Sequence, residues 1–451
     1  MKFFINKIAL LVIVALIMGI SSCKKYLDKQ PDQTLFIPKK LSDLQTLLDN
    51  YNFMNHNCSV MAELMADDLA VSASDWSVLP VGGDRNIYVW DGTVDYTDTW
   101  SFCYKPVFYS NVVLDELTSI TSSDQTTYND IKGQALFFRS FYFWQLAQVY
   151  CKPYSVTSVN DPGIALRMTS DANAPTVRST VKQTYDQIVG DLKLSAALMQ
   201  LTGPSPMRPD RKAAYGMLAR VLLSMREYDE AGKYADSVLQ VKNTLLDYNQ
   251  LNSAATRPIP HLNAEVLFDA AGGVYMTAPP NSKVDPVLYN LYHNDDLRKQ
   301  LFFTTNADNT HTFRGSYGML YNFNVFMGLA IDEMYLTRAE SYARAGNKDA
   351  ALADLNTLMQ KRWSNAVPYP TITAADAADA LNKVLTERRK ELLHRALRWS
   401  DLRRRNVEGA NITLTRVLNS TTYTLPPNDP RWVLLIPYNV INSTGIQQNP
   451  R

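Results

Sequence analysis

Chemistry has few places to reside in this chain of 451 residues. Its five histidines, His56, His261, His293, His311 and His394, show no HExxH or paired-ligand spacing. Gly315-Ser316-Tyr317-Gly318 is not a nucleophile elbow, and no phosphate-cradling glycine loop occurs. Asn306, Asp308 and Asn309 lack the EF-hand pattern, so neither a metal nor another cofactor is expected. Paired glycosidase carboxylates leave no sequence signature, and that class stays open as a less favoured reading. The aromatic residues are more informative. Trp76, Tyr88, Trp90 and Trp100 fall in or just after VSASDWSVLPVGGDRNIYVWDGTVDYTDT, a stretch without a helical stripe that also holds Asp84, Arg85 and Asn86. Flat rings beside short polar groups suit a stacking platform with a hydrogen-bonding rim. The alternative for each ring is a small core under a loop. Tyr289 and Tyr292, in a second non-periodic segment over residues 252–328, are weaker candidates, whereas Trp144, Trp363 and Trp399 lie on or beside patterned helices and are expected in the core.

Such loops need a scaffold. In IDEMYLTRAESYARAGNKDAALADLNTLMQKR, residues 331–362, Ile331, Met334, Tyr335, Ala339, Tyr342 and Ala343 recur at helical steps; Gly346-Asn347 breaks the row, and Ala351, Leu355, Leu358 and Met359 resume it. This predicts an αα-hairpin with the spacing of a tetratricopeptide repeat. The same slots recur 120 residues earlier as Tyr215, Ala219, Leu222 and Ala231. One hairpin cannot bury both faces, so the units must stack. Further helices are expected from Ser42, with capping-box spacing to Gln45, from Trp100, from Gly133 and from Val181. GQALFFRSFYFWQLAQVY is apolar almost all round and should be central. EVLFDAA and MLYNFNVF are candidate strands. ADALNKVLTERRKELLHRALRWSDLRRR reads as one charged helix in which Glu391 pairs with Arg395 and Asp401 with Arg405, four residues apart. Interleaved acids argue for clamping rather than a nucleic-acid face, and a net charge of +1 implies no pull towards polyanions.

At the N-terminus, Lys2 and Lys7 precede an apolar run from Ile8 to Ile20 and then Ser21-Ser22-Cys23, the layout of a signal peptide over residues 1–22 and too short to span a membrane comfortably. The Ile-Ser-Ser-Cys end resembles a bacterial lipobox, which makes Cys23 the lipidated first residue of the mature chain. Cys58, Cys103 and Cys151, odd in number and without CxxC spacing, read as buried thiols, with a single bridge left open. Residues 23–451 form one domain, with halves of about 23–240 and 255–451.

Taken in order, the lipobox cysteine followed by YLDKQP, KGQALFFRSFYFWQLAQVY, IDEMYLTRAESYARAG, ERRKELLHRALRWSDLRRR and LLIPYNVINSTGIQQNP resemble the SusD/RagB family of surface nutrient-binding lipoproteins. Two positions depart from it: Arg395-Ala396 stands where Glu-Gly is common, and Gln134 where a glutamate is common. The resemblance implies a mostly α fold, a scaffold of about four tetratricopeptide-like hairpins carrying long loop-rich insertions and a few short strands. It also implies a non-enzymatic lipoprotein of the outer membrane, anchored through lipid alone and facing outwards. Such a protein presents oligosaccharides, or in some members peptides, to a SusC-like TonB-dependent transporter. On that reading the rings named above stack on the apolar faces of sugars and the Asp, Asn and Arg side chains bond hydroxyls; no nucleic acid is involved.

Overall fold

The computed structural model describes residues 38–79, 81–273, 283–318 and 325–451. The expected signal segment, residues 1–22, and Cys23 lie outside the described residues. The principal helices are α1 (Leu41–Leu48), α2 (Ala73–Val78), α3 (Asp84–Tyr88), α4 (Thr97–Leu117), α5 (Gln125–Tyr150), α6 (Val181–Leu198), α7 (Arg211–Met225), α8 (Tyr228–Leu239), α9 (Ile331–Arg344), α10 (Lys348–Gln360), α11 (Ala377–Glu391), α12 (Arg398–Val407) and α13 (Tyr438–Thr444). Strands are few and short. Those used below are β1 (Leu69–Ala70), β2 (Lys283–Val284), β3 (Phe303–Thr305), β4 (His311–Phe313), β5 (Leu414–Leu418) and β6 (Thr421–Leu425).

Consecutive long helices pack on one another from α4 through α10, and α11 lies against α9 and α10. Both repeats fold as expected. α7 and α8 form one hairpin and α9 and α10 the next, with Ala219, Ala231, Ala339 and Ala351 fully buried where the helices approach. Between the hairpins α8 crosses α9 so closely that a Cβ on Gly232 would collide with the Ser341 side chain, which is why a side chain is absent there. Asn347 caps α10 by accepting from the Ala350 amide at 3.1 Å. In α5 every residue from Gly133 to Tyr150 is buried. That helix is the axis of the main core, as its apolar circumference predicts.

Several expectations need correction. The helix α1 begins at Leu41, so Ser42 is inside it and Gln45, instead of closing a capping box, bonds Gln134 at 2.9 Å. Residues 71–96 contain two helices of six and five residues, each too short to show a period, and α4 begins at Thr97, ahead of the expected Trp100. The charged stretch is two helices, because His394 and Ala396 adopt positive φ of 61° and 55° and break the chain between α11 and α12. That break redirects the charges. Glu391 binds Arg298 and Arg362, each over 2.8–2.9 Å, Arg395 binds Asp332 at 2.6 Å, and Asp401 holds Arg388 and Arg404, both at 2.9 Å. The pairs Glu391 to Arg395 and Asp401 to Arg405 do not form; apart from Asp401 with Arg404, both on α12, the charges clamp separate elements together. EVLFDAA contains the strand Val266–Phe268 and the start of Ala271–Gly272, and of MLYNFNVF only Val325–Phe326, also a strand, falls within the described residues. The three cysteines described are free and buried, and burial pushes the Cys58 and Cys151 thiols up to about 12.

Candidate functional site at the junction of two insertions

The two segments in which the helical period fails come together. β1, from the first, pairs antiparallel with β2, from the second, with Leu69 opposite Val284; the sheet order is β1-β2-β4-β3. Side chains repeat the link. Lys283 Nζ lies 3.3 Å from the Asp75 carboxylate on α2 and 3.0 Å from Asp308 in the turn between β3 and β4. Hydrogen bonds from the Thr310 hydroxyl and from Lys283 hold Asp308 down to about 2, so the turn keeps its negative charge at any physiological pH.

Half-buried rings flank this junction. Trp76 donates from Nε1 to the Arg85 carbonyl at 2.9 Å, the Arg85 guanidinium lies 4.3 Å from the ring centre, and Tyr423 of β6 tilts against it at 6.2 Å. Asn86 ties the loop, accepting from Gly82 N and donating to Asp91, each over 2.8 Å. On the far side Tyr289 stacks on His311, centroids 3.4 Å apart and planes 13° from parallel, with the Lys299 ammonium 5.2 Å from the Tyr289 ring centre. Burial, aided by Lys299, lowers the His311 pKa, so the stacked imidazole is neutral at pH 7. The result is a surface of partly exposed rings edged by ammonium, guanidinium, amide and carboxylate groups. It offers face contacts and hydrogen bonds rather than a nucleophile.

Not every ring expected at this surface reaches it. Tyr88, Trp90 and Tyr292 are 3%, 3% and 2% exposed and belong to the core. Their polar atoms are engaged: Tyr88 Oη accepts from Val71 N at 3.1 Å, Trp90 Nε1 donates to Met65 O at 2.9 Å, and Tyr292 Oη donates to Lys390 O at 2.7 Å. Arg416 of β5 covers the first two, 3.5 and 4.5 Å from their ring centres. Asp84 is likewise buried. Trp100 packs edge-on against Tyr150 and lines a separate cleft of about 320 Å³ with Tyr104 and Phe108 of α4. Trp144 and Trp399 are core as expected, whereas Trp363 is half-buried and stacks on His293. Lys283, Asp75, Asp308, His311 and Tyr423 were not singled out from sequence, and no local spacing marks them.

One carboxylate cluster has the composition of a metal centre. Glu265, Asp332 and Glu391, all buried, bring oxygen atoms within 4.8 Å of one another. Guanidinium groups already meet their charge: Arg362 binds Glu265 and Glu391, both at 2.8 Å, and Arg395 binds Asp332. The arrangement is therefore an ion-pair lattice between elements. No helix among the described residues is long and apolar enough to cross a membrane.

Comparison with known proteins accords with this architecture. A family profile described as starch-binding and associating with the outer membrane matches residues 25–223, and the SusD family profile matches residues 306–450. No curated protein sequence matches significantly. Among solved structures, a SusD superfamily protein from Bacteroides thetaiotaomicron superposes with a TM-score of 0.73 at 20% identity, covering 91% of this chain and 100% of its own. Another, from Bacteroides vulgatus, gives 0.72 at 22% identity, covering 92% and 99%. A laminarin-binding SusD-like protein gives 0.63 at 17% identity, covering 90% and 97%. With profiles of one family on both halves and the same fold along nearly its whole length, the chain belongs to the SusD/RagB family.

Proposed function

We propose that this protein is a glycan-binding lipoprotein of the outer membrane that captures an oligosaccharide at the junction of its two insertions and passes it to a SusC-like TonB-dependent transporter. One observation carries the reading: two loop-rich segments far apart in sequence, each with a half-exposed ring, are joined strand to strand and through Asp75, Lys283 and Asp308. Trp76 and Tyr289 supply faces for the apolar sides of pyranose rings, and Arg85, Asn86, Lys283 and Asp308 reach hydroxyls at the edge. The starch-binding description of the matched family and the laminarin-binding relative support a glycan as ligand. Lipid on Cys23 would hold the domain at a membrane that it does not enter.

Isothermal titration against a panel of neutral oligosaccharides tests this. Binding without turnover is expected, weakened about ten-fold or more by Trp76→Ala or Tyr289→Ala, as for an interface ring contributing upward of ~1.4 kcal/mol. Unchanged affinity in both variants would remove the junction as the site. Sustained release of reducing ends by pure protein would replace binding with hydrolysis.

A further inference from the structure

A cavity elsewhere in the fold shares no residue with that junction. It measures about 640 Å³, within the range of small-molecule sites, and is enclosed by the chain following α5, the last turn of α12, the segment after β6 and the C-terminal residues. Arg403 forms part of its wall. Nine arginines are buried among the described residues, and seven of them make an ion pair with a carboxylate. Arg403 and Arg416 do not. Arg416 is enveloped by the carbonyls of Leu64, Ala66 and Tyr88 and by two aromatic faces. Arg403, only 3% exposed, donates to the carbonyls of Gln148 and Cys151 at the end of α5, and its Nε–H has no acceptor. Those carbonyls explain its position at a helix C-terminus but offset only part of its charge. The other charges of the wall are balanced, Lys152 by Asp161 at 2.8 Å and Asp429 by Arg431 at 2.7 Å. One positive charge is left over beside a space of this size.

We propose that this cavity is a second binding site, for a small ligand held through a carboxylate. A monoanion matches the single unbalanced charge, which a phosphate dianion would exceed. The Trp432 indole and the rings of Pro153, Pro430 and Pro450 supply an apolar wall for the body of the ligand, and Asn428 a polar one at the mouth. Two sources offer such a group, the uronic acid of a glycan fragment and the C-terminus of a short peptide. The site does not depend on the glycan reading of the junction.

Titration calorimetry on the full chain separates the outcomes, with methyl galactosiduronate and acetyl-Ala-Ala, each carrying one carboxylate, as probes and the methyl ester of the first and acetyl-Ala-Ala amide as neutral controls. One acid should bind saturably while its control does not, and which acid binds names the source. Arg403→Gln and Val407→Trp should each weaken that binding at least about ten-fold, as loss of a hydrogen bond to a charged group implies. Arg403 also serves α5, so the variant that fills the cavity from Val407 decides if Arg403→Gln does not fold. No saturable binding by either acid, equal affinity for an acid and its control, or unchanged affinity in Val407→Trp would each overturn the proposal.

Discussion

Replacing Arg362 by methionine should destabilise the fold by about 3–5 kcal/mol, the usual consequence of stripping a buried carboxylate of its cation. Arg362 is wholly buried and donates to Glu391, to Glu265 and to the Leu246 carbonyl, each over 2.8 Å, while its guanidinium lies 4.0 Å from the centre of the Tyr248 ring. Methionine keeps the apolar stem and loses all three hydrogen bonds. Glu391 retains Arg298 at 2.9 Å. Glu265 keeps only uncharged donors, the Leu246 amide at 2.7 Å and the Tyr317 hydroxyl at 2.8 Å. The loss is a large share of the ~5–15 kcal/mol that holds most domains together. Burial already pushes Glu265 up to about 7, so proton uptake relieves the variant in acid, and it should lose less at pH 5 than at pH 8. Urea unfolding followed by tryptophan fluorescence, at both pH values, measures this, provided the m-value is unchanged. Adding Glu265→Gln should restore much of the stability. A loss below about 1 kcal/mol at pH 8, or no recovery in the double variant, would refute the account.

Two further outcomes follow from the same region. Glu265 shifts from 4.5 to about 7 on folding, so its protonated form favours the native state. That contribution is complete below pH 4.5 and is lost as pH rises through about 7. Stability measured as wild type minus Glu265→Gln should therefore fall across this window, a difference that cancels the titration of His56 and His311, whose lowered values act in the opposite sense. A flat difference would contradict it. At the break between α11 and α12, Ala396 sits at φ 55°. Ala396→Gly should stabilise by about 0.5–1 kcal/mol, since relief of the left-handed strain outweighs the added freedom of the unfolded chain, and a lowered urea midpoint would argue that Ala396 packing matters more.

The helices were legible because long amphipathic stretches repeat one local rule. Tyr215 and Tyr335, set 120 residues apart in equivalent slots, were enough to identify the hairpins. The surface was legible only by residue type. Trp90 and Tyr88 resemble Trp76 in composition and setting, yet they are buried because Arg416, more than three hundred residues later, closes over them. The ion pairs failed for a related reason. Four-residue spacing predicts partners only while a helix continues, and two left-handed residues at His394 and Ala396 send Arg395 to Asp332 instead. Lys283 carries no signal of its own, since its role is set by what β1 and the turn at Asp308 bring to it.

The pairing of Leu69 with Val284 has a consequence for the order of assembly. Loop-closure entropy grows with the length of chain enclosed, and this contact encloses more than two hundred residues, whereas each helical hairpin closes over a short turn. Local hairpins therefore gain their contacts early and long-range strands late. An emerging chain reaches β1 before any of the repeats but cannot use it until β2 has been made and the intervening stack has shortened the gap. The surface at the junction therefore becomes competent only after the helices between β1 and β2, α7 and α8 among them, have packed.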